Sequence, residues 1–231
     1  MPYTRGLDLR TLDTVSGSSE IDFVHLIHDL KKRFTTSKIR VLYEGAGFST
    51  FPEELEKACQ ILKLPVEVWR TDLYTPERYA RMAQKINRTK AIQKQNVRIN
   101  LERYRQATPE TVHEVFGPDF FHLVVSHLGG MMYTPLSQEK GLAALLSTVK
   151  KGGEAIIVTA QNSDGKAMDT VDYYNREQAS GVGTFLSQNP NIHFRQNWAK
   201  SRFHDSQLSR FRIRKGMPFS NREEIWRRTW N

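Results

Sequence analysis

The sequence of 231 residues contains a single cysteine, Cys59, so it cannot form an internal disulfide. Its place in a helical apolar pattern predicts a small buried side chain and not a nucleophile. No apolar run approaches the length of a membrane span, and the first twenty residues have no apolar signal core. We therefore expect a soluble protein of a reducing compartment, with the cytoplasm as its location.

Several catalytic and nucleotide-binding motifs are also missing. The P-loop pattern GxxxxGK[ST] appears nowhere, which argues against ATP or GTP hydrolysis. In GAGFST, residues 45–50, Thr50 stands where the dinucleotide motif GxGxxG has its third glycine, and its side chain would crowd the packing of helix on strand. An NAD-linked oxidoreductase is therefore a weaker alternative. Ser126 lacks the GxSxG turn of serine hydrolases.

Positive charge is abundant, with 34 lysines and arginines against 25 acids and a net charge of +9. The cations concentrate in residues 78–98, which contain no acid, and in residues 210–231, which also contain Trp226 and Trp230. This excess of positive charge favours an anionic partner. RNA is the first candidate, because cations can bind its phosphates and the neighbouring aromatic rings can stack on its bases. An acidic membrane surface, an acidic protein and a merely solvated helix face are the alternatives.

Strand and helix patterns alternate along the chain from residue 38 onward. They predict an α/β fold with a doubly wound, mostly parallel seven-stranded sheet and an antiparallel C-terminal hairpin. The predicted strands are residues 39–45, 66–73, 97–101, 121–128, 154–160, 192–203 and 206–215. An accessory helix is predicted with Phe23, Ile27, Leu30 and Phe34 on one face. A second helix should begin at a Thr50–Glu53 capping box, and another should lie before strand five and be stopped by glycine. The other predicted helices are residues 76–95, 108–116 and 169–188.

The same patterns suggest how the chain is divided. Residues 1–34 are predicted to form a tail and the accessory helix, with a loop at residues 15–20. Residues 35–216 would be the Rossmann-like domain, and residues 217–231 a basic tail that contains tryptophan.

The order of motifs in residues 38–216 resembles the class I, Rossmann-like S-adenosylmethionine-dependent methyltransferases. The motifs are YEGAGFS after the first strand, an acid at the end of the second in RTDL, and FHLVVSHLGGMMY at the fourth. LLSTVKKGGEAIIVT before the fifth strand and the terminal hairpin complete the series. The resemblance implies S-adenosyl-L-methionine as cofactor and methyl transfer as the activity.

The resemblance also implies which residues bind the cofactor. Gly45 and Gly47 would let the backbone approach its amino-acid portion, and Asp72 would accept hydrogen bonds from its ribose hydroxyls. The full predicted set is Glu44, Gly45, Ala46, Gly47, Asp72, Leu73, Ser126 and His127.

Two departures from the family pattern favour a second reading. Tyr43 stands where the family usually has an acid, so the carboxylate of Glu44 should point to the other face of the sheet, and Ser49 replaces a frequent glycine. A catalytically inactive Rossmann-like module that binds nucleic acid or protein is therefore the alternative.

Candidate catalytic residues lie at and after the end of the fourth strand. His127 is the natural general base, with a structural histidine as the alternative, and Tyr133 follows in the same loop. SHLGG is not the Asn/Asp-Pro-Pro-Tyr/Phe motif of N6-adenine and glutamine methyltransferases, so those substrates are disfavoured. The acceptor is unassigned, with RNA, on the basis of charge, or a small molecule favoured. No metal site is predicted, because His25 and His28, with Asp29, lack an evident third well-placed ligand.

Overall fold

The computed structural model describes residues 10–92, 97–127, 138–162, 185–200 and 206–220. In these ranges the helices are α1 Arg10–Ser19, α2 Phe23–Arg33, α3 Phe51–Ile61, α4 Pro76–Ile92, α5 Val112–Phe116 and α6 Gln138–Ser147. The strands are β1 Ile39–Glu44, β2 Val66–Asp72, β3 Tyr104–Gln106, β4 Phe121–His127, β5 Val149–Asn162, β6 Ile192–Lys200 and β7 Ser206–Lys215. Within the described residues, no helix combines the length and the apolar character needed to cross a membrane.

The seven strands form one sheet in the order β3-β2-β1-β4-β5-β7-β6. The pairs from β3 to β5 are parallel, whereas β7 runs antiparallel to both β5 and β6. This arrangement confirms the predicted fold class. It differs from the dinucleotide-binding order 3-2-1-4-5-6, because an antiparallel strand lies between β5 and β6.

The sheet separates two layers of helices. On one face, α1, α2 and α3 pack against alternate strand residues such as Val41 and Tyr43. On the other face, α5 and α6 pack against the intervening positions, including Leu42 and Val124. Because side chains alternate along a strand, the face on which a site residue lies follows from its position in β1, β2 or β4.

The structure corrects the predicted loop at residues 15–20. Val15–Ser19 belong to α1, and the side chains of Leu12 and Val15 are buried against the sheet. Burial of this apolar face outweighs the weak helix propensity of the serines and Gly17.

The predicted third strand at residues 97–101 is also wrong, since β3 is Tyr104–Gln106. Ile99 is buried, which explains its apolar pattern, but its backbone N–H and C=O pair with the side chain of Asn87 on α4. A side chain therefore satisfies the backbone groups that a strand neighbour would otherwise bond.

Helix α3 begins after Thr50 as predicted, but its capping contacts differ, and so does the end of the helix before β5. The Thr50–Glu53 capping box is absent, because the Thr50 hydroxyl donates to Glu54 Oε1 at 2.6 Å while Glu53 pairs with Arg70. The helix before β5 ends at Ser147, and its supposed stop, Gly152–Gly153, lies inside β5 beside an irregularity in the pairing with β4. Of the predicted helix at 169–188, residues 169–184 lie outside the described residues.

Candidate active site

The turn after β1 is built from glycines in a left-handed backbone conformation. Gly45 has φ 60° and Gly47 has φ 49°, values that residues with a Cβ adopt only at a cost. The N–H of Ala46 donates to the carbonyl of Thr71 at 2.9 Å, which ties the turn to β2. A Cβ added to Gly47 would meet no atom within 4 Å. Glycine is therefore needed at position 47 for the backbone conformation of the turn, and its main chain faces open space.

Asp72, the last residue of β2, faces this turn. Its Oδ2 accepts a hydrogen bond from the N–H of Gly47 at 2.8 Å, and its Oδ1 accepts one from the N–H of Leu73 at 2.7 Å. A carboxylate has about four acceptor positions, so two of them are available to further donors. Leu73 itself is 63% exposed. The carboxylate and the open turn thus form one structural unit at the carboxyl edge of the sheet, where open α/β sheets bind ligands.

A buried polar network supports the turn from below. The hydroxyl of Tyr79 donates to the carbonyl of Gly47 at 2.6 Å, and burial raises the pKa of this phenol. Arg70 donates to Tyr79 Oη at 2.9 Å and to the carbonyl of Ser49 at 3.2 Å, and it pairs with Glu53 on α3. The Arg70 side chain is only 2% exposed, so its charge acts on the turn with little solvent screening.

Sequence reasoning did not identify this network. A signal was nevertheless present, because Arg70 and Asp72 are two residues apart in β2 and so share one face. A charged residue on the buried face of a central strand calls for a partner, and here that partner is Glu53.

Tyr43 and Glu44 lie on opposite faces of β1, as the strand alternation predicts. Tyr43 pairs in register with Arg70 and stacks on Phe51 at 4.5 Å, and burial raises its pKa to about 12. Glu44 is 1% exposed and accepts a hydrogen bond from Ser126 Oγ at 2.6 Å across the β1–β4 pair. An aromatic ring therefore fills the position where the family usually has an acid, and Glu44 and Ser126 pair with each other on the other side of the sheet.

His127 ends β4 and contacts helix α1. Its Nε2 lies 2.5 Å from Ser18 Oγ, and burial lowers its pKa to about 4. Helix α1 is held at both ends: the N–H of Leu12 donates to Glu54 on α3, and Arg210 Nε on β7 donates to the carbonyl of Ser18. The structure thus lays α1, which the sequence left as tail and loop, against the end of the strand that carries the predicted base.

Two other predictions, on Tyr133 and on metal binding, concern residues away from these strands' described ends or outside the described ranges. Tyr133 lies outside the described residues. On α2, Asp29 Oδ1 lies 3.5 Å from His25 Nε2 and 3.9 Å from His28 Nδ1, so the fold gathers three potential ligand atoms on the surface of one helix. The expectation that the protein has no metal site stays a prediction.

No family model matches the sequence, and neither does any curated protein. Solved structures do match the fold. Phosphoethanolamine N-methyltransferase 2 of Haemonchus contortus, solved with S-adenosyl-L-methionine, superposes with a TM-score of 0.55 over 93% of this chain and 60% of its own, at 13% identity. The methyltransferase domain of the citrinin polyketide synthase gives 0.54 over 85% and 52%, also at 13% identity.

YcgJ of Bacillus subtilis gives a TM-score of 0.51 at 14% identity, over 83% of this chain and 98% of its own. The chain thus spans between half and three fifths of the length of the first two structures and nearly all of YcgJ. At these identities the likeness concerns the fold. The mostly parallel seven-stranded sheet with its antiparallel C-terminal hairpin agrees with it. The chain has the fold of the class I S-adenosylmethionine-dependent methyltransferases.

Proposed function

We propose that this protein is a methyltransferase that uses S-adenosyl-L-methionine. The observation that carries the proposal is the 2.8 Å hydrogen bond from the N–H of Gly47 to the carboxylate of Asp72. It joins an open main-chain turn to an acid with spare acceptor positions, at the edge of the sheet where this fold class binds ligands.

In this proposal Gly45, Ala46 and Gly47 offer main chain to the cofactor, and Asp72 accepts hydrogen bonds from its ribose. The exposed Leu73 borders the same edge. The cofactor supplies a methyl group on a sulfonium, and the protein supplies alignment. Solved structures of the same fold contain S-adenosyl-L-methionine or S-adenosylhomocysteine, which favours this ligand.

Glu44, Ser126 and His127 have positioning roles in the proposal. The Glu44–Ser126 hydrogen bond holds the ends of β1 and β4 together, and both side chains are buried. His127 is neutral at pH 7 because burial lowers its pKa to about 4, which also makes it a weak proton acceptor. Its ring contacts Ser18, so we assign it to holding α1 in place.

Calorimetry with S-adenosylhomocysteine tests the proposal. We expect the protein to bind, and Asp72→Asn to weaken binding by at least about tenfold, because the amide keeps one acceptor oxygen instead of two. Glu77→Gln, which removes an exposed carboxylate from the first turn of α4, is the matched control and should bind normally. Absence of binding by the unmodified protein at high micromolar ligand would refute the proposal.

The packing of Tyr43 against Phe51 favours a second candidate, a binding module that retains the cofactor site without catalysis. Incubating the protein with candidate acceptors and with cofactor labelled on its methyl group distinguishes this module from an active methyltransferase. Cofactor binding without transfer to RNA, protein or small-molecule acceptors would favour the module.

A further inference from the structure

One face of helix α4 carries four cations in a row. Arg78, Arg81, Lys85 and Arg88 follow each other at intervals of three, four and three residues, which places them on one side of the helix. All four are exposed. We call this surface the α4 cationic face. From Arg78 to Arg88 it extends roughly 15 Å along the helix axis.

Ion pairs within the described part of the chain do not account for these cations. There, none of the four side chains has a salt bridge to an acid, and the nearest acid in α4 is Glu77 in its first turn. The opposite side of α4 packs against the rest of the protein. There Tyr79 and Ala83 are fully buried, Tyr79 stacks on Tyr104, and Ala83 belongs to the same apolar cluster. Four like charges along one helix face repel each other, so a partner of opposite charge would stabilise them.

The face leads to the candidate active site. Helix α4 begins four residues after Asp72, and the guanidinium of Arg78 lies 4.7 Å from the centre of the Tyr74 ring. Tyr74 in turn stacks near Phe48 of the glycine turn, with the ring centres 6.2 Å apart. A row of cations that ends at aromatic rings beside the site suits a chain of phosphates whose bases can stack at one end.

The chemistry of the helix favours a polynucleotide over the other anionic partners. A helix that lies on a membrane exposes an apolar face for insertion, but the apolar side of α4 is buried within the protein. Three of the four cations are arginines, whose planar guanidinium groups match phosphate oxygens in pairs.

We propose that the α4 cationic face binds the phosphate backbone of a single-stranded polynucleotide and leads it toward the turn at Gly47. That this strand is the methyl acceptor rests on the proposed function; the binding surface itself does not. RNA and DNA share the backbone chemistry, so both serve as probes.

Fluorescence anisotropy with a labelled RNA of about 20 nucleotides, and with DNA of the same sequence, tests the proposal between about 50 and 200 mM salt. The variant Arg81→Gln/Lys85→Gln/Arg88→Gln leaves Arg78 and the site intact. The matched control, Lys32→Gln/Lys38→Gln/Lys140→Gln, removes three exposed charges from elsewhere on the surface. We expect the α4 variant to bind at least about tenfold more weakly than the control at equal salt.

The salt dependence gives a second readout. Each phosphate contact in a single strand contributes about 0.7 to the slope of log affinity against log salt, so the α4 variant should lose about 2 from that slope. Equal losses in both variants would overturn the proposal, because net charge alone would then explain binding. It would also be overturned if the α4 variant kept its RNA and DNA affinity but lost binding to phosphatidylserine vesicles.

Calorimetry with S-adenosylhomocysteine on the same variants separates the two proposals. The α4 variant should bind this ligand normally, since none of its three changes touches the turn. RNA binding that depends on α4 in a protein that does not bind S-adenosylhomocysteine would refute the proposed function and leave the α4 proposal standing. The reverse result would refute the α4 proposal alone.

Discussion

The hydroxyl of Ser18 lies 2.5 Å from Nε2 of His127, which joins helix α1 to the end of β4. The two residues are 109 positions apart in the sequence, and neither is part of a recognisable motif with the other. The contact buries the imidazole at the edge of the candidate site, and this burial determines its protonation.

The titration of His127 is the first prediction. Because burial lowers its pKa to about 4, the ring should stay neutral down to pH 5 in the folded protein. NMR titration of the histidine Cε1–H signals, with His127→Gln to assign the resonance, measures this directly. A midpoint near 6.5 would contradict the buried environment and would restore His127 as a general base poised near neutrality.

Gly47→Ala should separate stability from ligand binding. The new methyl group would meet no neighbouring atom, so the cost should be only the strain of a left-handed alanine, about 1 kcal/mol. Calorimetry should nevertheless find S-adenosylhomocysteine binding at least about tenfold weaker, because the methyl group occupies space that the ligand would use.

Gly117→Ala is the matched control for that change. Gly117 has φ 74°, also has open space at its Cβ position, and lies before β4 at the other edge of the sheet. It should lose at least as much stability in urea unfolding, because its ψ of 176° lies in a backbone region almost restricted to glycine, and it should bind S-adenosylhomocysteine normally. If both alanine variants bind as the unmodified protein does, the turn is not the cofactor site.

Glu154→Gln should destabilise the protein by about 3–5 kcal/mol. The carboxylate is fully buried and lies 2.6 Å from both Arg212 Nε and Arg214 Nη2 and 2.9 Å from Arg33 Nη1. Burial opposes its ionisation, but the ion pairs with Arg212 and Arg214 prevail and lower its pKa. The neutral amide would remove the negative charge that Arg33, Arg212 and Arg214 share at this position.

The exposed ion pair between Asp119 and Lys215, at 2.9 Å, provides the comparison. Asp119→Asn should cost at most about 1 kcal/mol because solvent screens the pair. Urea unfolding of both variants measures the difference, and equal losses would show that the cluster around Glu154 contributes no more than a surface contact.

Acid should destabilise the protein through His122. Its Nδ1 accepts a hydrogen bond from the N–H of Arg40 at 2.9 Å, which requires the neutral ring, and burial lowers its pKa from 6.5 to about 4. The unfolded state binds the proton more readily, so stability is present above pH 6.5 and is lost as the pH falls toward 4.

Between pH 7 and pH 5 the loss from this residue should be about 2 kcal/mol. His122→Gln should therefore have a shallower pH dependence of its free energy of unfolding over that interval, whatever its stability at pH 7. An unchanged dependence would mean that His122 is already able to take up a proton in the fold.

The sequence by itself determined the order and type of most strands and helices of this protein. Alternating strand and helix patterns were enough to predict the sheet and its antiparallel hairpin, because apolar periodicity and backbone chirality are local properties. The glycines after β1 and the acid ending β2 pointed to the edge of the candidate site. The placement of Tyr43 and Glu44 on opposite faces of the sheet could also be read from strand alternation.

Tertiary structure alone decided what surrounds that edge. Arg70 and Tyr79 under the glycine turn, Asn87 pairing with the backbone of Ile99, and Ser18 against His127 all join residues whose separation in sequence carries no periodic signal. Local propensity even pointed the wrong way for α1, whose serines favour a loop. Its helix forms because folding brings the sheet to its apolar face, and the burial of Leu12 and Val15 outweighs that local preference.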